Sequence, residues 1–282
     1  MLPTFFVIGA SKAGTTSLYH YLNAHPEIHM APMLDSPRFF APPSDRPPLS
    51  REAYEALFES DAPERGERAP SYSVHPLFSG VPERIEALVP AASFIYLVRD
   101  PVERCVAYYM QRLETQLEAR TLEEAMKGIE DPAHQYGCGS RYAMQVDRYL
   151  RRFPPSRMLV VDQADLRADR AATLREIFSF LAVDPDFRSE RFEQMHNLTR
   201  DKRTHSGTYA RLRRSRVGVA LRRLPPWVRR PGARALKHFV SGSPLERPEL
   251  DEQLRERMAT ALAPDTERLR SLTGKPFASW SV

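Results

Sequence analysis

The sequence predicts an α/β fold: a central parallel sheet flanked by helices. Three short apolar runs, Thr4–Ile8, Ser93–Val98 and Met158–Val161, lack clean alternation with polar residues, as strands covered on both faces do. Segments of helical periodicity separate them, and strand–helix alternation of this kind implies a parallel sheet. The 282 residues are 42% hydrophobic and 27% charged, a composition that can bury a sizeable core.

The helices follow from apolar spacing. Thr15–Ala24 sets Leu18, Tyr21 and Leu22 on one face, and Pro82–Val89 opens on Pro, a good first helical residue. Val102 to about Ala119 and Ser140–Arg152 are longer, and Ala171–Leu181 repeats Leu174, Ile177, Phe178 and Leu181 at helical intervals. The Pro-rich stretch Ala41–Ser50 is a loop. Residues from about 197 to 248 are irregular and strongly basic, either a mobile arm or lid or a solvated cationic surface. Leu250–Leu272 returns to an amphipathic helical pattern and closes back on the rest, so one domain over residues 1–282 is expected.

Lys and Arg number 41 against 36 for Asp and Glu, a net charge of +5. That excess favours an anionic ligand. It is too small to argue for nucleic acid, and no nucleic-acid recognition module is present. Cys105 and Cys138 show neither metal-ligand spacing nor a disulfide framework. The early apolar run is too short for a signal peptide or membrane span, so a cytoplasmic setting is expected. Pro225-Pro226-Trp227, set among Arg residues, suits peripheral contact of residues 211–237 with an anionic membrane, or the lining of an acceptor pocket.

The most informative segment is Gly9-Ala10-Ser11-Lys12-Ala13-Gly14-Thr15-Thr16-Ser17. A buried strand enters, a small-residue loop turns and a helix leaves, which aims backbone N–H groups and a helix N-terminus at one spot. Such a spot binds phosphate or sulfate. The spacing Gly9-x4-Gly14 matches the nucleotide-triphosphate P-loop, but Thr15 stands where that motif needs Lys, and the cation sits inside the loop as Lys12. A second feature is Arg99, just past an apolar strand, where open α/β sheets bind ligands. Its forked guanidinium suits a phosphate, or equally an ion pair with Asp100 or Glu103.

The segment KAGTTSL, followed by YLNAHPEIHMAP and PRFF, resembles the sulfotransferases that use 3′-phosphoadenosine 5′-phosphosulfate, in particular their carbohydrate and heparan branch. The resemblance runs through Gly139–Gln145 and Asp165-Leu166 to the closing Lys275–Trp280. It implies a P-loop-like sulfotransferase fold, transfer of a sulfuryl group to an acceptor hydroxyl or amine, and no metal requirement. It assigns the 5′-phosphosulfate to Ser11, Lys12, Ala13, Gly14, Thr15, Thr16 and Ser17, with Lys12 stabilising charge on the bridging oxygen. The 3′-phosphate falls to Arg99 and, more weakly, Arg203. Arg68, in Glu67-Arg68-Ala69-Pro70, matches a basic residue that approaches the reacting centre. The acceptor implied is a small molecule, lipid or carbohydrate.

Two departures stand out. The Ser that normally follows the strand-end Arg by eight residues is Ala107, which removes one neutral hydrogen bond of about 0.5–1.5 kcal/mol. The carboxylate expected as general base is Ser36, within Asp35-Ser36-Pro37-Arg38-Phe39-Phe40. Asp35, His20 and His75 are the substitutes, since a base must reach the acceptor proton. Two other readings stay open: a P-loop phosphotransferase using Met158–Asp162 as a metal-holding strand end, and a non-catalytic nucleotide-binding relative.

Overall fold

The computed structural model of the chain describes residues 1–33, 38–42, 48–193, 203–205, 241–244 and 247–282. The three apolar runs are strands β1 (Phe5–Gly9), β4 (Ser93–Val98) and β5 (Met158–Asp162), almost wholly buried. Two further strands, β2 (Ile28–Met30) and β3 (Glu64–Arg68), complete a five-stranded sheet in the order β2-β3-β1-β4-β5. Every pairing in it is parallel. β1 lies at the centre, paired through Val7 with Arg68 of β3 and with Ile95 of β4.

β3 escaped the sequence reading because its residues, ERGER, carry no hydrophobic signal. Its charges are spent locally. Glu64 accepts from Thr4, and Arg65 donates to the carbonyls of Leu2 and Ala62. Glu67 is fully buried among tyrosines. Only Gly66 packs, against Phe5 and Met30.

The helices are α1 (Thr15–Leu22), α2 (Arg51–Glu55), α3 (Val81–Leu88), α4 (Pro101–Glu114), α5 (Leu122–Met126), α6 (Tyr142–Leu150), α7 (Gln163–Ala168), α8 (Arg170–Phe180) and α9 (Glu252–Thr273); α1, α3, α4, α6, α8 and α9 match the expected segments, while the short α2, α5 and α7 carry too few residues to show a period. α4 stops five residues before the expected Ala119. The Thr115 hydroxyl turns back onto the carbonyl of Gln111, and Gln116 enters the left-handed region at φ 53°. α9 packs on α4 and α6, where Asp265 accepts the first free N–H groups of α6 from Ala143 and Met144, both at 2.9 Å. Within the basic stretch, β6 (Arg203–His205) pairs antiparallel with β7 (Ser241–Pro244), and β6 lies against α4. Most of the rest of that stretch, including residues 211–237, lies outside the described residues.

Gly66 is the tightest point of the sheet: a Cβ there would stand 2.3 Å from the Phe5 ring and 2.5 Å from the Met30 sulfur. Gly66→Ala is expected to lower stability by roughly 1–3 kcal/mol through overpacking, read as a lower urea midpoint with an unchanged m-value.

Candidate active site

The site forms at the carboxyl ends of β3, β1 and β4, where a parallel sheet opens a crevice. The loop after β1 is pinned at both ends. Ala10 N–H donates to the carbonyl of Leu97 on β4 at 2.5 Å, and Ala13 N–H to that of Ala10 at 3.1 Å. Gly14 caps α1 at φ 100°, a conformation that favours glycine, and a Cβ there would meet the buried amide of Gln163 at 3.0 Å. Lys12 sits at φ 75°, in the left-handed region that costs an ordinary residue strain.

Two cations flank this loop. On the β3 side, Arg68 donates from Nε to Thr15 Oγ1 at 3.3 Å and from Nη2 to Thr16 Oγ1 at 3.2 Å. Burial pulls its pKa down, Tyr19 opposes that, and the charge of Arg38 adds to it. On the β4 side, Arg99 donates from Nη1 to the carbonyl of Lys12 at 3.4 Å and from Nη2 to Glu103 at 3.0 Å. Burial lowers its pKa too, against the pull of Glu103. Arg68 thus reaches the first turn of α1 and Arg99 the Lys12 backbone just before it, and the free N–H groups of that turn carry partial positive charge of their own. Such a cluster is arranged for an anion bearing several charges.

Arg247 was not singled out in the sequence. Its Nη2 reaches both oxygens of Glu103, at 2.7 and 2.8 Å, so Glu103 bridges Arg99 and Arg247. Burial pushes the Glu103 carboxyl up, but Arg247, Arg99 and Arg255 together carry it below its ordinary value. Only the geometry reveals Arg247, because it stands 148 positions after Arg99 in a run rich in Arg. Ala107 is buried on α4 nearby in sequence, and neighbouring Tyr109 commits its hydroxyl to the carbonyl of Arg120. The side chain of Arg203 lies outside the described residues, although its backbone belongs to β6.

The candidate bases fare differently. Asp35 and Ser36 lie outside the described residues. His20 falls in the last turn of α1, at the far end from the loop, edge-on to Tyr19. His75 follows the turn after β3; its backbone exchanges hydrogen bonds with the Gln145 amide. Burial lowers its pKa and the charge of Arg148 lowers it further. The strand-end Asp162 is committed elsewhere: it caps α7 through Ala164 N–H and accepts from Trp280 Nε1 at 3.0 Å. That commitment counts against its service as a metal-holding strand end.

Residues 2–218 match the family profile of the sulfotransferase domain. The chain belongs to the sulfotransferase family. Among curated sulfotransferases, heparan sulfate glucosamine 3-O-sulfotransferase 3B1 of Homo sapiens is 30% identical over 189 residues, covering 64% of this chain and 46% of that protein. Bifunctional heparan sulfate N-deacetylase/N-sulfotransferase 3 of Homo sapiens is 29% identical over 215 residues, covering 66% of this chain and 23% of that protein. The chain spans less than half the length of these two relatives. In three dimensions it is similar to a sulfotransferase from Alicyclobacillus acidocaldarius, with a TM-score of 0.71 at 23% identity and both chains covered in full. That likeness establishes the sulfotransferase fold expected from the loop motif. No described helix is long and apolar enough to cross a membrane.

The left-handed Lys12 separates stability from function. Lys12→Gly removes the Cβ strain and is expected to raise stability by about 0.5–1 kcal/mol over Lys12→Ala, read from thermal midpoints.

Proposed function

We propose that this sulfotransferase moves a sulfuryl group from 3′-phosphoadenosine 5′-phosphosulfate to a hydroxyl or amine, leaving adenosine 3′,5′-bisphosphate. The observation that carries the reading is the convergence of Lys12, Arg68 and Arg99 on the loop between β1 and α1. The donor, when bound, supplies a sulfuryl group already activated by its link to phosphate. The chain's own part is positioning and charge. Backbone N–H groups and the hydroxyls of Thr15, Thr16 and Ser17 hold the 5′ end at the start of α1. Lys12 stabilises the negative charge that grows on the bridging oxygen. Arg68 orients the two threonine hydroxyls to which it donates. Arg99 and Arg247, joined through Glu103, hold the 3′-phosphate, and the second guanidinium offsets the hydroxyl missing at Ala107.

A carbohydrate acceptor is the favoured class, since the relatives named above act on heparan sulfate; small-molecule and lipid acceptors share the same reactive groups. Asp35 is the proposed proton acceptor, with His20 and His75 as the alternatives. Asp35→Asn is expected to lower turnover while sparing bisphosphate binding. Full turnover in that variant with a loss in His20→Gln or His75→Gln moves the role to that histidine.

Adenosine 3′,5′-bisphosphate is expected to raise the melting temperature without magnesium, whereas ATP with magnesium does so weakly. Tight magnesium-dependent ATP binding with no response to the bisphosphate overturns the reading. Lys12→Ala should lower turnover by roughly 10²–10³-fold, the usual loss for a transition-state donor. Arg99→Ala should weaken bisphosphate binding by ~2–5 kcal/mol. The half-exposed Arg247 should contribute less, about tenfold in Kd.

A further inference from the structure

Glu67 precedes Arg68 on β3 and is fully buried. Strand alternation turns it to the opposite face of the sheet from Arg68. Three donors meet its carboxylate: Tyr54 Oη at 2.6 Å on Oε2, Tyr72 Oη at 2.8 Å on Oε1, and the backbone N–H of Arg38. The Tyr72 hydroxyl also accepts from the N–H of Phe40 at 3.1 Å, and Arg84 donates to the Phe40 carbonyl from Nε at 2.9 Å. Phe39 stacks on Tyr54 with ring centres 4.3 Å apart, and Ala41 N–H closes the turn onto the Arg38 carbonyl at 2.9 Å. The 38–41 turn therefore hangs from Glu67 by one direct and one relayed hydrogen bond. Arg38, at its head with φ 44°, lies near enough to Arg68 for its charge to be felt there.

We infer that Glu67 is a positioning residue: its ionised carboxylate locks the 38–41 turn, and Arg38 with it, beside Arg68 and the cofactor loop, while a proton taken from solvent releases that turn. The groups facing Glu67 are Tyr54 from α2, Tyr72 from the turn after β3, and Tyr149 from α6. Arg84 of α3 meets the turn at a carbonyl, and among the described residues no cation bonds the carboxylate. All three bonded neighbours donate, which suits an acceptor-only carboxylate. On protonation the tyrosine hydroxyls can turn to accept the new proton, whereas the Arg38 N–H can only donate and loses its charged acceptor. Tyr54 and Tyr72 are fixed in an aromatic cluster with Phe6 and Phe40, whereas Arg38 is exposed. The turn is the part that gives way.

Burial pushes the Glu67 carboxyl up to about 7 against the three hydrogen bonds that hold it down. From the ordinary 4.5 to about 7 the folded chain binds more protons than the unfolded one. Global stability consequently falls as pH rises through that window, because a charge is being buried. The turn tightens over the same window. A merely structural carboxyl predicts no such opposition of signs.

The bearing of this clamp on turnover rests on the reading of the loop as the donor site; the clamp itself does not. The test is amide hydrogen exchange on the full chain at pH 5.5, 7.0 and 8.5, corrected for intrinsic rates, following peptides over residues 38–42. The expected result is roughly tenfold or greater loss of protection at Arg38 and Phe40 at pH 5.5 relative to 8.5, while the urea midpoint moves the other way. Glu67→Gln should abolish the pH dependence of protection at Arg38 and Phe40 and reduce that of the urea midpoint, to which Asp265 also contributes, and Tyr72→Phe should free Phe40 while Arg38 keeps its response. Equal protection at pH 5.5 and 8.5 in the unaltered chain overturns the inference, whatever the variants do. Thermal shifts with adenosine 3′,5′-bisphosphate on the same samples report the donor site separately.

Discussion

β1 is hydrogen-bonded along both edges, and the charged groups around the loop are placed by that double pairing. Val7 faces Arg68 on one side and Ile95 on the other, so the register that buries FFVIG also delivers one guanidinium to each flank of the loop, Arg68 and Arg99. The carbonyls of Val7 and Leu97 receive the N–H groups of Ala69 and Ala10, which fixes where each strand hands over to its turn. A slip of β3 by one residue would exchange Glu67 for Arg68 and set a carboxylate against the anion site. The hydrophobic run of β1 and the electrostatics of the crevice are therefore one constraint.

Much of this was legible in the residues, and the reasons differ by element. β1, β4 and β5 declared themselves because both faces of each are covered, leaving uninterrupted apolar runs. Lys12 and its neighbours were legible because a loop between buried strand and helix start has few other uses. β3 was not, because a strand whose side chains serve hydrogen bonds and charge looks like a polar loop. Arg68 was found through the family motif although its strand was not. Arg247 had no signal at all: one arginine among many becomes distinctive only when Glu103 is seen to join it to Arg99.

The electrostatics follow from burying guanidinium groups beside the loop. Glu103 answers two arginines, and Arg68 is bonded to neutral hydroxyls. Burial makes each guanidinium less content with its charge, which is how a site is prepared to take up an anion. Trp280 and Ser281 brace the same region from behind, on Asp162 and Asp100, and Tyr142 donates to the carbonyl of Arg99.

The polarity of β3 gives its two faces separate tasks. β1, β4 and β5 share a dry interior of Phe, Ile, Leu and Val, while β2 is three residues long and β3 is mostly charged. β3 is held by its pairing with β1 and β2 and by the buried rings of Phe40, Tyr54, Phe58 and Tyr72 beside it. Glu67 bonds Tyr54 and Tyr72 while the adjacent Arg68 bonds Thr15 and Thr16, so a single peptide unit ties the buried aromatic cluster to the start of α1.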